Sequence, residues 1–239
     1  MSKDPQVDLI FNHFIPRYVA TGVDPNDMKR LVERVDQWSN WCAVWSDEAL
    51  KHELHGNREK DLHHDLTASE SWLKAAIYYH YAKHLFGADP VQFNKAQESM
   101  LRCYNLAAMD APSPIQKLKI PYKDDFIHAY LRTPLRQGRG AWPVAIILPG
   151  LDACKEELHT WSNSFLDRGI ATITLDGPGQ GESAAHFPIS LDWGNVMAAV
   201  ITFLETHHPE VDMSRVGVVG QSLGAFYSPL SAALEPRLK

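Results

Sequence analysis

The sequence predicts an α/β protein, with a helical domain over residues 1–110 and a mostly parallel, doubly wound sheet over residues 111–239. Three observations carry this. Apolar residues recur at helical spacing through the first half. Ala111-Pro112-Ser113-Pro114 then breaks the pattern and reads as a linker. Beyond it, short β-branched runs alternate with amphipathic segments, as strands joined by helical crossovers in a parallel sheet should.

The elements follow in order. Helices are expected over about 7–21 and 24–54, and Trp38, Trp41 and Trp45, three and four residues apart, would share one face of the second. That stripe reads either as core or as a lid supplying an aromatic wall to a substrate cavity. Thr67-Ala68-Ser69-Glu70 has the form of a capping box and should open the next helix, which would stop at Gly87. Asp89-Pro90 places an N-cap and an N1 proline before a helix with Phe93, Ala96, Met100, Tyr104 and Ala107 on its apolar side. Past the linker, 116–122 and 126–132 read as strands about a turn at Lys123-Asp124-Asp125, and 134–140 as a basic, Gly-containing loop. Val144-Ala145-Ile146-Ile147-Leu148 is continuously apolar, as a strand buried on both faces should be. A helix over 155–168, a strand over 170–175, a helix over 192–206, a strand over 216–219 and a helix over 225–234 complete the series.

Composition narrows the function. The 239 residues are 45% hydrophobic and 22% charged, with a net charge of −6, which is ordinary for a globular chain and argues against a nucleic-acid partner. There is no apolar run long enough to span a bilayer, so no membrane partner is expected. Cys42, Cys103 and Cys154 are odd in number and show no metal spacing, which suits reduced thiols in the cytoplasm. The residues Met1-Ser2-Lys3-Asp4-Pro5 open the chain without the apolar core of a signal peptide.

The chemistry concentrates at Gly220-Gln221-Ser222-Leu223-Gly224, which follows the run Arg215-Val216-Gly217-Val218-Val219 and precedes a helix. That is the strand–turn–helix setting of a nucleophile elbow. The turn is too sharp for bulk near the serine, which accounts for Gly220 and Gly224. It strains Ser222 and lifts its hydroxyl clear, making Ser222 the candidate nucleophile. The Leu223 N–H would face a tetrahedral oxyanion. A second donor is expected from Leu151, because Pro149-Gly150-Leu151-Asp152 directly follows the apolar strand, where such enzymes place the other half of the oxyanion hole. Gly150 would let the backbone approach closely.

Asp176-Gly177-Pro178-Gly179-Gln180-Gly181-Glu182-Ser183 lacks dinucleotide spacing and reads as a tight connector fixed by Asp176. The twelve histidines suggest a metal, but His52, His55 and His63-His64 form no His-Glu-x-x-His pattern and read as a solvated helix end, so no metal and no cofactor is expected. His207-His208 suit a helix C-terminus. His159 lies on the helix after the Gly150 loop, and none of these histidines is placed to serve Ser222.

The segments 150–157, 176–182 and 220–224 together resemble one group of α/β-hydrolases. It comprises the fermentation–respiration-switch esterase-like proteins, the pseudooxynicotine hydrolases and the fungal hydrolases that shorten polyketide pigment precursors. The resemblance implies a helical domain lying over an α/β-hydrolase sheet and attack by a serine on an ester, or on a ketone whose neighbouring carbon–carbon bond breaks. It places Ser222 as nucleophile and Leu151 and Leu223 at the oxyanion positions, and gives Asp152 a place beside the site. The implied partner is a small-molecule substrate, and a homodimer is an open possibility. Only 17 residues follow Ser222, none of them His and only Glu235 acidic. The family's triad acid and base are therefore missing, and an incomplete hydrolase domain is expected, from a fragment or a truncated product. The rival expectations are a non-catalytic binding protein and a helical partner-binding module.

Overall fold

The computed structural model describes residues 4–135 and 141–239. The chain forms two compact units, one ending at Pro112 and one spanning Ser113–Lys239.

The first unit contains α1 (Pro5–Ala20), α2 (Pro25–Arg34), α3 (Trp41–Asp61), α4 (Asp65–Lys83) and α5 (Pro90–Met109). Three of these helices start on the same device. Asp4, Asp24 and Asp89 are N-caps whose carboxylates accept first-turn N–H groups, each with proline behind it. The helix expected over 24–54 is broken. Val35 leaves the helical region at the end of α2, and a 3₁₀ turn, Trp38–Asn40, precedes α3. The break is stitched to the start of α1, where the Asp4 N–H donates to Asp36 O at 2.8 Å and Asp4 Oδ2 accepts the Trp38 N–H at 3.1 Å. Trp38 therefore does not share a helix with Trp41 and Trp45. The three rings still pack in a row, each tilted on the next, with centroids 5.2 and 5.7 Å apart.

Two further boundaries move. Helix α4 begins at Asp65, so Thr67 lies inside it and the expected capping box does not form. It ends at Lys83 rather than at Gly87: His84 already leaves the helical region, with ψ 120°, and Leu85 follows in the left-handed conformation, with φ 57°.

The second unit contains β1 (Ile115–Tyr122), β2 (Asp125–Arg132), β3 (Trp142–Leu148), α6 (His159–Leu166), β4 (Ala171–Asp176), α7 (Trp193–His207), β5 (Val211–Gly220) and α8 (Leu223–Leu234). Of the expected loop 134–140, residues 136–140 lie outside the described residues. The sheet order is β1-β2-β4-β3-β5. Strand β3 pairs in parallel with β4 and β5, while the β1–β2 hairpin and the β2–β4 pair are antiparallel, so the sheet is mixed. The hairpin turns on Lys123-Asp124, with Lys123 at φ 53°, and Asp125 belongs to β2. The parallel centre buries the runs the sequence marks as apolar: Ile146, Ile147, Leu148 and Ile173 are sealed. Helix α7 turns Val196 and Val200 into that core, and Trp193 stacks on Tyr227 of α8 with centroids 4.4 Å apart. The geometry places the ends of β3, β4 and β5 side by side.

Candidate active site

Strand β5 ends at Gly220 and α8 begins at Leu223, leaving Gln221 and Ser222 to make the turn. Ser222 sits at φ 52°, ψ −120°, a region non-glycine residues avoid. Such strain persists only where the surroundings over-determine it, and here they do. A side chain on Gly220 would strike the Gly224 backbone, and one on Gly224 would strike the Leu148 and Pro149 carbonyls. The Gln221 N–H donates to Leu148 O at 3.2 Å, and the Gly224 N–H to Gln221 O at 2.8 Å. The result is a serine whose side chain is exposed and makes no hydrogen bond with any described residue. Leu223, the first residue of α8, carries one of the first-turn N–H groups that a helix leaves without an internal acceptor.

The loop after β3 comes up against this turn. A Cβ on Gly150 would lie 3.2 Å from Ser222 Cβ and 3.5 Å from Asp152 Oδ1, so Gly150, Asp152 and Ser222 are neighbours. Leu151 is exposed, and no described residue accepts its N–H.

Asp176, at the end of β4, joins this loop to the next. Its carboxylate accepts the Lys155 N–H and Lys155 Nζ, both at 2.8 Å, and the Glu182 N–H at 3.0 Å, while its carbonyl accepts Ser183 Oγ at 2.7 Å. Lys155 is fully buried, 2.6 Å from Glu182 Oε2 and 2.8 Å from Glu156 Oε1, with its ammonium over the Tyr130 ring. Burial opposes its charge, yet Asp176 first, then Glu156, Tyr130 and Glu182, hold its pKa well above the usual lysine range. Burial likewise works against the Glu182 carboxylate, and Lys155 outweighs it, bringing its pKa down. This cluster is why the helix expected from residue 155 starts only at His159: Lys155 is drawn inward by its carboxylate partners, and Glu156, Glu157 and Leu158 are buried with it. Asp176 ties the start of its connector together through these bonds. The roles of Lys155 and Glu182 went unread, and their signal was a lysine beside two glutamates in a strand-end loop.

The histidines lie elsewhere. His159 is buried, and desolvation, then the Arg132 charge, depress its pKa far below the imidazole range. His207 Nδ1 meets Phe203 O, and His208 Nδ1 meets Glu210. His52 is a half-buried partner of Asp27 at 3.0 Å rather than part of a solvated end. Among the described residues no cluster of His, Cys, Asp and Glu could hold a metal. Glu235, the acid after the serine, is buried and paired with Arg237 at 2.8 Å. Trp41 and Trp45 are sealed among Phe11, Tyr18, Tyr78 and Tyr81 of their own unit, which makes them core.

The chain has known relatives. A family model described as FrsA-like esterase matches residues 24–238. The chain is 35% identical over 222 residues to a 2,6-dihydropseudooxynicotine hydrolase of Paenarthrobacter nicotinovorans, covering 93% of this chain and 59% of that one. It is 31% identical over 217 residues to the hydrolyase poxO of Penicillium oxalicum, covering 85% and 51%. A crystal structure of the 2,6-dihydroxy-pseudo-oxynicotine hydrolase matches with a TM-score of 0.83 at 34% identity, over 93% of this chain and 62% of that chain. The chain thus spans about half to three-fifths of the length of these relatives. No helix among the described residues is long and apolar enough to cross a membrane.

Proposed function

Since the chain belongs to the FrsA-like esterase family of α/β-hydrolases, we propose that Ser222 is the nucleophile of a hydrolase acting on a small-molecule carbonyl compound, an ester or a ketone cleaved at its neighbouring carbon–carbon bond. The observation that carries this is the strained backbone of Ser222, forced between β5 and α8 with its hydroxyl exposed. Strain of this kind serves presentation of a side chain. In the reaction, Ser222 Oγ adds to the carbonyl carbon. The oxyanion forms against the N–H groups of Leu151, in the loop after β3, and Leu223, at the start of α8, which carry no competing acceptor. Collapse expels the alcohol, or the carbon group with its electron pair, which takes up the proton removed from Ser222 Oγ, and water then adds to the acyl group and releases it as the carboxylic acid. A base must take the Ser222 proton, and among the described residues none is hydrogen-bonded to that hydroxyl. Asp152 stands beside the site, and Gly150, Gly220, Gly224 and Asp176 shape it. No cofactor is needed for this chemistry, and the expected setting is the cytoplasm.

Ser222→Ala tests the reading. Removing a serine nucleophile costs several orders of magnitude in kcat, while alanine fits the turn and should leave the melting temperature in place. Turnover of p-nitrophenyl esters and of aryl ketones by the full-length protein, measured with thermal melts on the same preparation, decides it. A variant that keeps a tenth of the rate would show that Ser222 is not the nucleophile.

A further inference from the structure

Gln180 lies in the connector after β4 and is 2% exposed. It reaches across to the loop after β3. Its Nε2 donates to Pro149 O and to Gly150 O, both at 2.8 Å, and its Oε1 accepts the Gly177 N–H at 3.1 Å. Both amide protons and the carbonyl are therefore engaged, and the Gly177 N–H decides which end of the amide is oxygen. The Gly150 carbonyl and the Leu151 N–H belong to one planar peptide unit, in which C=O and N–H point in opposite directions. A hand on the carbonyl thus sets where the N–H points. Hydrogen bonding at the carbonyl also polarises the N–H on the far side, strengthening it as a donor. The Gly150 Cα lies against Ser222, so this peptide borders the nucleophile.

We infer that Gln180 is a positioning residue that aims and polarises the Leu151 N–H of the oxyanion site; the catalytic part of this rests on the reading of Ser222 given above. The connector is shaped for the task. Gly179 and Gly181 are both left-handed, at φ 80° and 43°, and Gly181 has no room for a side chain beside the Asp176 carboxylate. Gln180 stands between them in an extended conformation, directed at the neighbouring loop. Glutamine suits the position by chemistry as well as length: a glutamate would set a carboxylate against two carbonyl oxygens, and a leucine would leave them unpaired.

The test compares Gln180→Leu and Gln180→Glu with Ser222→Ala. Outright loss of an oxyanion donor costs about 10²–10³ in kcat. A misaimed donor should cost less, about 10- to 100-fold, with KM changed less than about threefold because the oxyanion exists only in the transition state. The Leu151 amide resonance should shift in Gln180→Leu, with the Leu223 amide unmoved, a selective effect that general loosening would not give. If Ser222→Ala silences the enzyme while both Gln180 variants keep kcat within threefold, the inference is overturned. If Ser222→Ala leaves the rate intact, the serine reading falls, and the Leu151 resonance alone then decides whether Gln180 holds this peptide. Should the variants not fold, the unmodified protein decides: both Gln180 side-chain NH₂ protons should exchange slowly, and exchange at the free-amide rate would overturn the clamp.

Discussion

The two units bury charge in opposite ways. In the helical unit the networks around Asp27 and Glu48 bury the carboxylates and leave their arginine and lysine partners largely in water. Asp27 accepts the Tyr78 hydroxyl at 2.6 Å and meets His52 and Arg30, while Glu48 meets Arg34 at 3.1 Å and Lys51 at 2.6 Å. The side chains of Arg30 and Lys51 are more than half exposed. In the sheet unit the cation is sealed: Lys155 has no exposed surface and is ringed by Asp176, Glu156 and Glu182. The difference follows from what each network holds. Helices α2, α3 and α4 already have hydrogen-bonded backbones and need only lateral staples, which exposed arms can provide. The loops after β3 and β4 have no ladder of their own, and a buried ammonium with several fixed acceptors supplies one.

The widest test of this contrast is Lys155→Met against Lys51→Met. The first leaves buried carboxylates without their common cation and should cost about 3–5 kcal/mol in urea unfolding. The second removes one exposed arm from Glu48, which keeps Arg34, and should cost less than about 1 kcal/mol. Equal losses would break the comparison. Within the helical unit, the larger stake lies on the buried side of the network. The Tyr78 hydroxyl both donates to Asp27 and accepts the Asp24 N–H at 3.0 Å. Tyr78→Phe should therefore cost about 2 kcal/mol, the price of leaving buried polar groups unpaired. A loss under 0.5 kcal/mol, about the size of a neutral surface change, would mean that water replaces the hydroxyl and that this network is no drier than its exposed arms.

Reading from sequence succeeded where the rule is local. Asp89-Pro90 opens α5, and the elbow glycines stand where the turn has no room for a side chain, because capping and turn sterics need only neighbouring residues. The apolar run at 144–148 lies in a central parallel strand for the same reason. It failed where distant residues compete. The break at 35–40 depends on Asp4, more than thirty residues upstream. The late start of α6 depends on Asp176 and Glu182 drawing Lys155 inward. The antiparallel half of the sheet could not be read from residues 116–132, since a hairpin does not announce which strand it will border. Gln180 was visible only as a letter between glycines, and its reach of about 30 residues to Pro149 and Gly150 exists only in the fold.

The finest test of the contrast uses two histidines. His159 is sealed beside Arg132, and desolvation, then that charge, lower its pKa far below normal. His52 is half-buried and also lowered by desolvation, but the Asp27 carboxylate pulls it back up. For both, the unfolded chain titrates near pH 6.5 and the folded protein lower, so between those values the unfolded state binds more protons. Stability is therefore intact above about pH 6.5 and falls as pH drops toward the folded pKa. For a fully suppressed histidine the loss between pH 7.5 and 5.5 is about 1.4 kcal/mol. His159 should show nearly all of that and His52 only part of it. Urea unfolding at those two pH values, for the unmodified protein, His159→Gln and His52→Gln, measures each share as the pH-dependent loss that the substitution removes. The larger share should belong to His159. A larger share at His52 would mean that its carboxylate partner does not offset its burial, and that the helical network is sealed as tightly as the one around Lys155.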